Sequence, residues 1–212
     1  SPVMVQRNIS LIYKNIWIYR LIMNFLYMGR YSKRFKDVIN YINLEEGGTV
    51  VELCFGDIYI AKYCHENKIN WVGYDFNQSF IQNAKQNNFD AHYVDLLDSS
   101  SFFTDFHSIN KVDMVIMMGS LYHFHNEIKP LIHKIMTYCD KFLISEPISS
   151  FSRILGPIGW LAKRSANIGH GNETFRYDEK TLLGELGKIC KDRYKLTTLE
   201  IKGDLICRIE WK

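Results

Sequence analysis

Disulfide staples and a zinc site are the first features this sequence excludes. Its five cysteines, Cys54, Cys64, Cys139, Cys190 and Cys207, are odd in number and widely spaced. None forms a CxxC pair or joins histidines at ligand spacing, so no metal is expected, and the reduced thiols of a cytoplasmic protein are the simplest account. A dedicated nucleic-acid surface is equally unsupported: the formal net charge is only +3, and lysines and arginines are scattered without a long basic run. Long hydrophobic runs are missing too. The most apolar stretch, ISLIYKNIWIYRLIMNFLYMG, is interrupted by Lys14, Asn15, Arg20 and Asn24, well short of the roughly 18 to 20 apolar residues that a membrane span needs. The opening SPVMVQRN lacks the basic segment, apolar core and small-residue cleavage site of a secretory signal. Internal repeats and low-complexity tracts are absent.

What is present is the balance of a single globular domain with a full core: 212 residues, 47% hydrophobic and 23% charged. Residues 1–43 read as a helical cap. The apolar residues of its first helix cover most of the circumference, which predicts burial against the domain, with a lipid surface or an apolar substrate as the other partners such a helix suits. In the second helix, SKRFKDVINYINL, Phe35, Val38, Ile39 and Ile42 share one face, and EEGG is the stop signal. Short apolar strands then alternate with helices: TVVELC, YIAKYCHENK, NWVGYDF, QSFIQNAKQNN, DAHYVDL, and, after a polar connection, DMVIMMGS, EIKPLIHKIMTYC and KFLISEPI. That rhythm predicts an α/β fold with a doubly wound, mostly parallel sheet. It breaks at residues 148–177, a long connection. The helix DEKTLLGELGKIC follows, and then YKLTTLEI and DLICRIEW face each other across KGD, an antiparallel hairpin that closes a seven-stranded sheet at its edge.

Ligands of such sheets bind outside the carboxyl ends of the strands. Those ends carry Glu52, Cys54, Gly56 and Asp57 on the first strand, Asp75 and Phe76 on the second, and Asp95 and Leu96 on the third. The fourth ends in Met118, Gly119 and Ser120 with Tyr122 and His123 just beyond, and the fifth in Glu146. Carboxylates gathered at one edge repel one another and give up hydration, so each needs a partner. A nucleoside offers them: ribose hydroxyls to one acid and an exocyclic amine to another. Gly56 would let the backbone approach such a ligand closely.

In this order, from about Tyr31 to the final hairpin, the features resemble the class I S-adenosylmethionine-dependent methyltransferases. The resemblance implies S-adenosyl-L-methionine as cofactor and S-adenosyl-L-homocysteine as product. It places Glu52 and Gly56 of ELCFGDI, with neighbours Cys54 and Asp57, at the methionine end. It matches Asp75 of GYDFN to the ribose-binding acid and Phe76 to the residue packed on adenine, and Asp95 and Leu96 of HYVDLLD to the adenine-side pair. DMVIMMGSLYHF corresponds to the fourth-strand motif, with Met118, Gly119 and Ser120 facing the transferable methyl, and Tyr31 to an aromatic that closes over the methionine carboxylate. Two of the family's three turn glycines are replaced, by Cys54 and Ile58; Ile58 is expected to narrow the loop or push it outward.

Methyl transfer from a sulfonium needs alignment and exclusion of water, plus a base when the acceptor is a hydroxyl or a protonated amine. His123, beside Tyr122, is the candidate base; the alternative is a structural hydrogen bond to the loop backbone, and His125 is placed to exchange roles with it. Glu146 either orients an amine substrate or caps the following connection. His65, His92, His107 and His133 lie away from strand ends and suit packing or solvated roles, and Met114, Met117, Met118 and Met136 suit core filling. The connection 148–177 is the expected substrate-recognition insert. It holds Ile154, Leu155, Ile158, Trp160 and Leu161, then Lys163 and Arg164, then His170 and Arg176. Apolar residues followed by cations suit an amphiphilic or acidic small-molecule substrate or peripheral contact with an anionic membrane, while a packing helix with solvated ends explains them equally. The leading expectation is O- or N-methylation of a small or lipid-like molecule. RNA or protein methylation is the second reading, lowered because MGSLYHF stands where base-methylating relatives carry an NPPY-type sequence. A non-catalytic binding subunit, its pocket closed by Ile58, is the third.

Overall fold

The computed structural model describes residues 15–27, 29–96, 112–148 and 175–212. Seven strands are present among them: β1 (Thr49–Leu53), β2 (Asn70–Asp75), β3 (Asp90–Tyr93), β4 (Val112–Met118), β5 (Cys139–Pro147), β6 (Tyr194–Lys202) and β7 (Asp204–Trp211). They form one sheet in the order β3-β2-β1-β4-β5-β7-β6. The first five pair in parallel, and β7 runs antiparallel to both of its neighbours. The hairpin read from the sequence is therefore present, turning on Gly203 at φ +88°. Its second strand slots between β5 and β6, leaving β6 as the sheet edge.

The described helices are α1 (Ile16–Leu26), α2 (Tyr31–Ile39), α3 (Tyr59–Glu66), α4 (Gln78–Gln86), α5 (Ile128–Met136) and α6 (Glu179–Cys190). Three begin at side-chain caps: Asn15 accepts from the Trp17 N–H at 2.9 Å, Asn77 from Ser79 at 2.9 Å and Asp178 from Thr181 at 2.7 Å. Alternation along the strands feeds two cores. Val50, Met114, Ile116 and Leu143 share a buried cluster with residues of α2, α3 and α4, including Phe35, Val38, Ile60 and Phe80. Val51, Leu53, Val115 and Met117 share another with α5 and α6 through Ile132, Ile135, Leu182 and Leu186. Both faces of the sheet are thus covered, and its carboxyl edge is where the chain has turns rather than helices. All five cysteines are unpaired.

Helix α1 is buried against the domain on one side only. Ile16, Tyr19 and Met23 pack towards the α2–α4 side, but Trp17, Leu21 and Phe25 are 73%, 72% and 61% exposed. Their i, i+4, i+8 spacing sets them on one stripe, and a helix that is apolar nearly all round can press only one side against a domain. No helix among the described residues is long and apolar enough to cross a membrane.

One core contact depends on a missing side chain. Trp71 lies across Gly73 so closely that an added Cβ would fall 2.2 Å from its ring and 2.8 Å from Phe55. The indole is pinned by its N–H to Glu52 Oε2 at 2.9 Å, so it has no room to turn away. Gly73→Ala should therefore lower unfolding free energy by about 2–3 kcal/mol, at the upper end of overpacking costs, in urea titrations followed by Trp fluorescence. A midpoint equal to that of the wild type would refute this packing.

Candidate active site

The turn after β1 keeps a glycine geometry with fewer glycines. Cys54 has φ +52° and Gly56 φ +60°, both in the left-handed region. For a cysteine this costs on the order of 1 kcal/mol, while Ile58, at φ −96°, lies outside that region. At Gly56 the positive φ is the visible requirement, because a Cβ there would meet Tyr19 Oη at 3.5 Å and Phe80 at 3.9 Å, ordinary contacts. Ile58 turns its side chain inward. It is 2% exposed and belongs to the core shared by α2, α3 and α4, because the chain is already entering α3 at that point. Its side chain is therefore part of that core.

Each strand-end carboxylate has a distinct solution to its burial. Glu52 lies under the turn, 1% exposed, with Oε2 on the Trp71 indole and Oε1 without a partner. Burial pushes its carboxyl well above the ordinary range, against the Trp71 hydrogen bond and with help from Asp57 and Asp75. Asp57, fully buried, takes a two-pronged ion pair from Arg20 of α1, Nε to Oδ2 at 2.8 Å and Nη2 to Oδ1 at 2.6 Å. Asp75 Oδ2 accepts from the Gly56 N–H at 3.1 Å and Oδ1 from Asn77 at 2.8 Å. Burial raises it to about 6, with the N–H groups of Asn77, Gly56 and Phe76 pulling the other way. Glu146 spreads its oxygens over the Leu121 and Tyr122 N–H groups at 3.0 and 3.2 Å, which caps the short 3-10 helix Leu121–Phe124. Its burial lifts it to about 8. Of the two roles weighed for Glu146, this geometry displays the capping one, directed at the helix before it rather than the connection after it. Asp95 and Leu96, past β3, are half-buried, as is Phe76.

Cys54 shows how closely these ends converge. Burial pushes its thiol well up, and Asp75, Asp95 and Glu146 add to the shift while a hydrogen bond with Ser120 opposes it. One side chain on β1's turn thus senses the ends of β2, β3, β4 and β5. Met118, Gly119 and Ser120 end β4, with Ser120 Oγ donating to the Met118 carbonyl at 3.2 Å. Tyr31 is 1% exposed and its hydroxyl lies 3.5 Å from Asp57, inside an aromatic cluster with Tyr19, Tyr27, Phe35 and Tyr59. On the 3-10 helix, Tyr122 is buried and His123 half-buried, their rings 3.9 Å apart. His125 is committed to support: Nδ1 is 3.0 Å from the Tyr122 carbonyl, and its ring stacks on Phe175 at 4.1 Å. Arg176 lies 4.0 Å over the Tyr122 ring. Trp160 and His170 fall outside the described residues, as does most of the expected insert. His133 bonds Tyr194 Oη at 3.0 Å on α5, away from this edge.

Sequence reasoning missed five residues of this edge. Tyr19 stands over Gly56, Arg20 neutralises Asp57, and Arg34 of α2 donates from Nε to Asp204 Oδ2 at 2.7 Å, with Ser145 Oγ on the same oxygen at 3.1 Å. The Arg34–Asp204 pair spans 170 positions, and nothing local marks either end.

By sequence the chain matches no family model and no curated protein. Solved structures do match. Plantazolicin methyltransferase BpumL with bound SAH aligns over 95% of this chain and 94% of its own at TM-score 0.62 and 13% identity. Magnesium protoporphyrin IX methyltransferase (ChlM) from Synechocystis PCC 6803, also with bound SAH, aligns over 92% and 87% at TM-score 0.56 and 14% identity. The chain has the class I methyltransferase fold. A protein described as a putative zinc-dependent alcohol dehydrogenase from Rhodobacter sphaeroides aligns over 96% and 99% at TM-score 0.60 and 14% identity. At such identities the methyltransferase fold is what is shared, and the site has to speak for the chemistry.

The two raised carboxyls give this methyltransferase fold a pH signature. Glu146 moves from 4.5 to about 8 and Asp75 from 3.8 to about 6, so both hold protons more tightly folded than unfolded. Their contribution is complete below the ordinary values and is lost as pH rises through the folded ones. Unfolding free energy of the free protein should fall between pH 4.5 and 8, and Glu146→Gln should flatten the part between 6 and 8. A wild-type profile that rises across this window would contradict the burial of both groups.

Proposed function

We propose that this protein is an S-adenosylmethionine-dependent methyltransferase that transfers a methyl group to an oxygen or nitrogen atom of a small, amphiphilic molecule. The observation that carries the reading is Asp75. It is a buried carboxylate at the end of β2, held in place by the Gly56 and Asn77 N–H groups, with lone pairs remaining on both oxygens. An acceptor-only group so fixed fits the two hydroxyls of a ribose. The neighbouring side chains fit the rest of the cofactor: Phe76, Asp95 and Leu96 for the adenine, and Tyr31, Cys54, Gly56, Asp57, Met118, Gly119 and Ser120 for the methionine end. Glu52 would act from beneath, supporting the turn. Neighbours of this fold solved with bound SAH support the choice of cofactor.

The cofactor, when bound, supplies an electrophilic methyl on a good leaving group. The chain's own tasks are positioning and proton removal. His123, half-buried on the 3-10 helix after β4, is the side chain proposed to take the acceptor's proton, with Tyr122 packed beside it. Glu146 holds the N–H groups at the start of that helix, and His125 holds its carbonyl end, so both position His123 rather than react. The apolar stripe of α1 supports the amphiphilic part of the reading, since it adds greasy surface to the same cap that supplies Tyr19 and Arg20.

Calorimetry with S-adenosylhomocysteine tests the core of the proposal. Wild-type protein should bind it, and Asp75→Ala should weaken binding by about 100-fold or more, since two hydrogen bonds to a charged acceptor are lost. Equal affinity in the two proteins would refute the ribose assignment. Once an acceptor is in hand, His123→Gln should reduce kcat by about 100-fold with little change in KM, the loss typical of a general base.

A further inference from the structure

Helix α1 has two apolar faces, and the domain uses one of them. Ile16, Tyr19 and Met23 pack inward. Between Ile16 and Phe25 the exposed positions are Trp17, Ile18, Leu21, Asn24 and Phe25, a spacing of i, i+1, i+4, i+7 and i+8 that gathers them on one side of the helix. Four of the five are large and apolar and none is charged, whereas a helix face turned to water ordinarily carries charge. The exposure is also concentrated. Of the seven large apolar side chains exposed among the described residues, these four share α1, while Tyr93, Ile201 and Trp211 stand singly on three strands. Scattered residues of that kind need no explanation, but a contiguous patch marks an interaction surface.

The charges beside the stripe decide what covers it. Asp37 is the one acid between residues 15 and 43, and Lys33 already pairs with it at 2.6 Å. Arg20 is matched by Asp57 and Arg34 by Asp204. Arg30 and Lys36 are exposed, and neither has an acidic partner among the described residues. Arg30 follows Phe25 by five residues, which keeps it within about 18 Å of that end of the stripe, and Lys36 is less than two turns further along α2. A second copy of the chain would lay stripe against stripe and bring these cations together with no acid to answer them. A protein groove is matched through patterned polar contacts, yet Asn24 is the stripe's only polar side chain. An anionic lipid layer meets both conditions, because its headgroups answer the cations and its acyl boundary accepts a greasy helix face without directional bonds.

We infer that α1 docks this protein on the surface of an anionic lipid bilayer, with Trp17, Leu21 and Phe25 in the boundary between headgroups and acyl chains and Arg30 and Lys36 at headgroup level. The inference goes beyond the methyltransferase reading and does not depend on it. The two are nevertheless joined by one helix. Arg20 lies 5.5 Å from the Trp17 ring while it grips Asp57, and Tyr19 stands over Gly56. The turn after β1 would therefore sit about 10 Å from the lipid, the diameter of the helix between them.

The full chain is mixed with vesicles of phosphatidylcholine alone, or of phosphatidylcholine with one-third phosphatidylglycerol, and the bound fraction is read by flotation. Wild-type protein should partition onto the anionic vesicles at least about tenfold more strongly than onto the neutral ones, and the preference should fade as salt is raised. Leu21→Gln with Phe25→Gln should cut partition at least about tenfold, since two apolar side chains no longer leave water. Arg30→Gln with Lys36→Gln should weaken binding to the anionic vesicles by about tenfold and leave the neutral ones unchanged. All four side chains are exposed, so both double variants should keep the thermal midpoint of the wild type. Absence of wild-type binding would leave the stripe to a protein partner and overturn the inference, as would equal binding to the two vesicles or binding that Leu21→Gln with Phe25→Gln does not weaken. A lowered midpoint in that variant would show the stripe covered within the chain. A dimer in sedimentation velocity that the same variant dissociates would assign the stripe to a second copy. Either result also overturns it.

Discussion

Burying acids at one edge of a parallel sheet is the constraint on which the rest of this structure depends. Parallel strands all end on the same side, so whatever polar groups terminate them are brought together whether or not they attract. Four carboxyl groups are buried at or near this edge and a fifth, Asp204, is partly so, and three kinds of partner offset them. Arg20 reaches Asp57, Arg34 reaches Asp204, backbone N–H groups hold Asp75 and Glu146, and an indole holds one oxygen of Glu52. The helical cap of the chain follows from this. Helices α1 and α2 bring the two arginines that pair with Asp57 and Asp204, so the cap balances charge at this edge as well as covering the core.

Much of this was legible because it is local. Alternating strands and helices, the EEGG stop and the run of acids at strand ends are all properties of short windows, and the windows agreed with one another. The position of Cys54 in its turn was also legible, although a cysteine there hid the left-handed backbone that the turn retains. The direction of the Ile58 side chain was not legible, for a specific reason. Ile58 occupies a loop position by analogy with glycine-rich turns, yet α3 begins one residue later and rotates the side chain into the core. The hairpin was visible in YKLTTLEI and DLICRIEW, but nothing in either strand declares which of them touches β5.

The less legible part lies in pairings across long stretches of chain. Arg20 and Asp57 stand 37 positions apart and Arg34 and Asp204 170. A cation on a helix reads as a solvated end until the fold supplies its partner, and α1 looked uniformly apolar until one stripe was left facing water. Helix α1 therefore has two characters. One side sets Tyr19 and Arg20 against the turn after β1, and the other presents Trp17, Leu21 and Phe25 outward.

The placement of β7 bears on how the molecule assembles. Residues 194–202 emerge from the ribosome before 204–211, yet their only place in the sheet is beside a strand that does not yet exist. The nascent chain must carry β6 unpaired, and β5 presents an open edge, until the hairpin closes and inserts. Asp204 arrives with that last strand, so Arg34 waits through nearly the whole of synthesis for its counter-ion. The Arg34–Asp204 pair is thus the final ion pair of this edge to form, and a ribosome-bound chain that already has its first five strands would hold the turn after β1 with Asp57 paired and Arg34 still without its counter-ion.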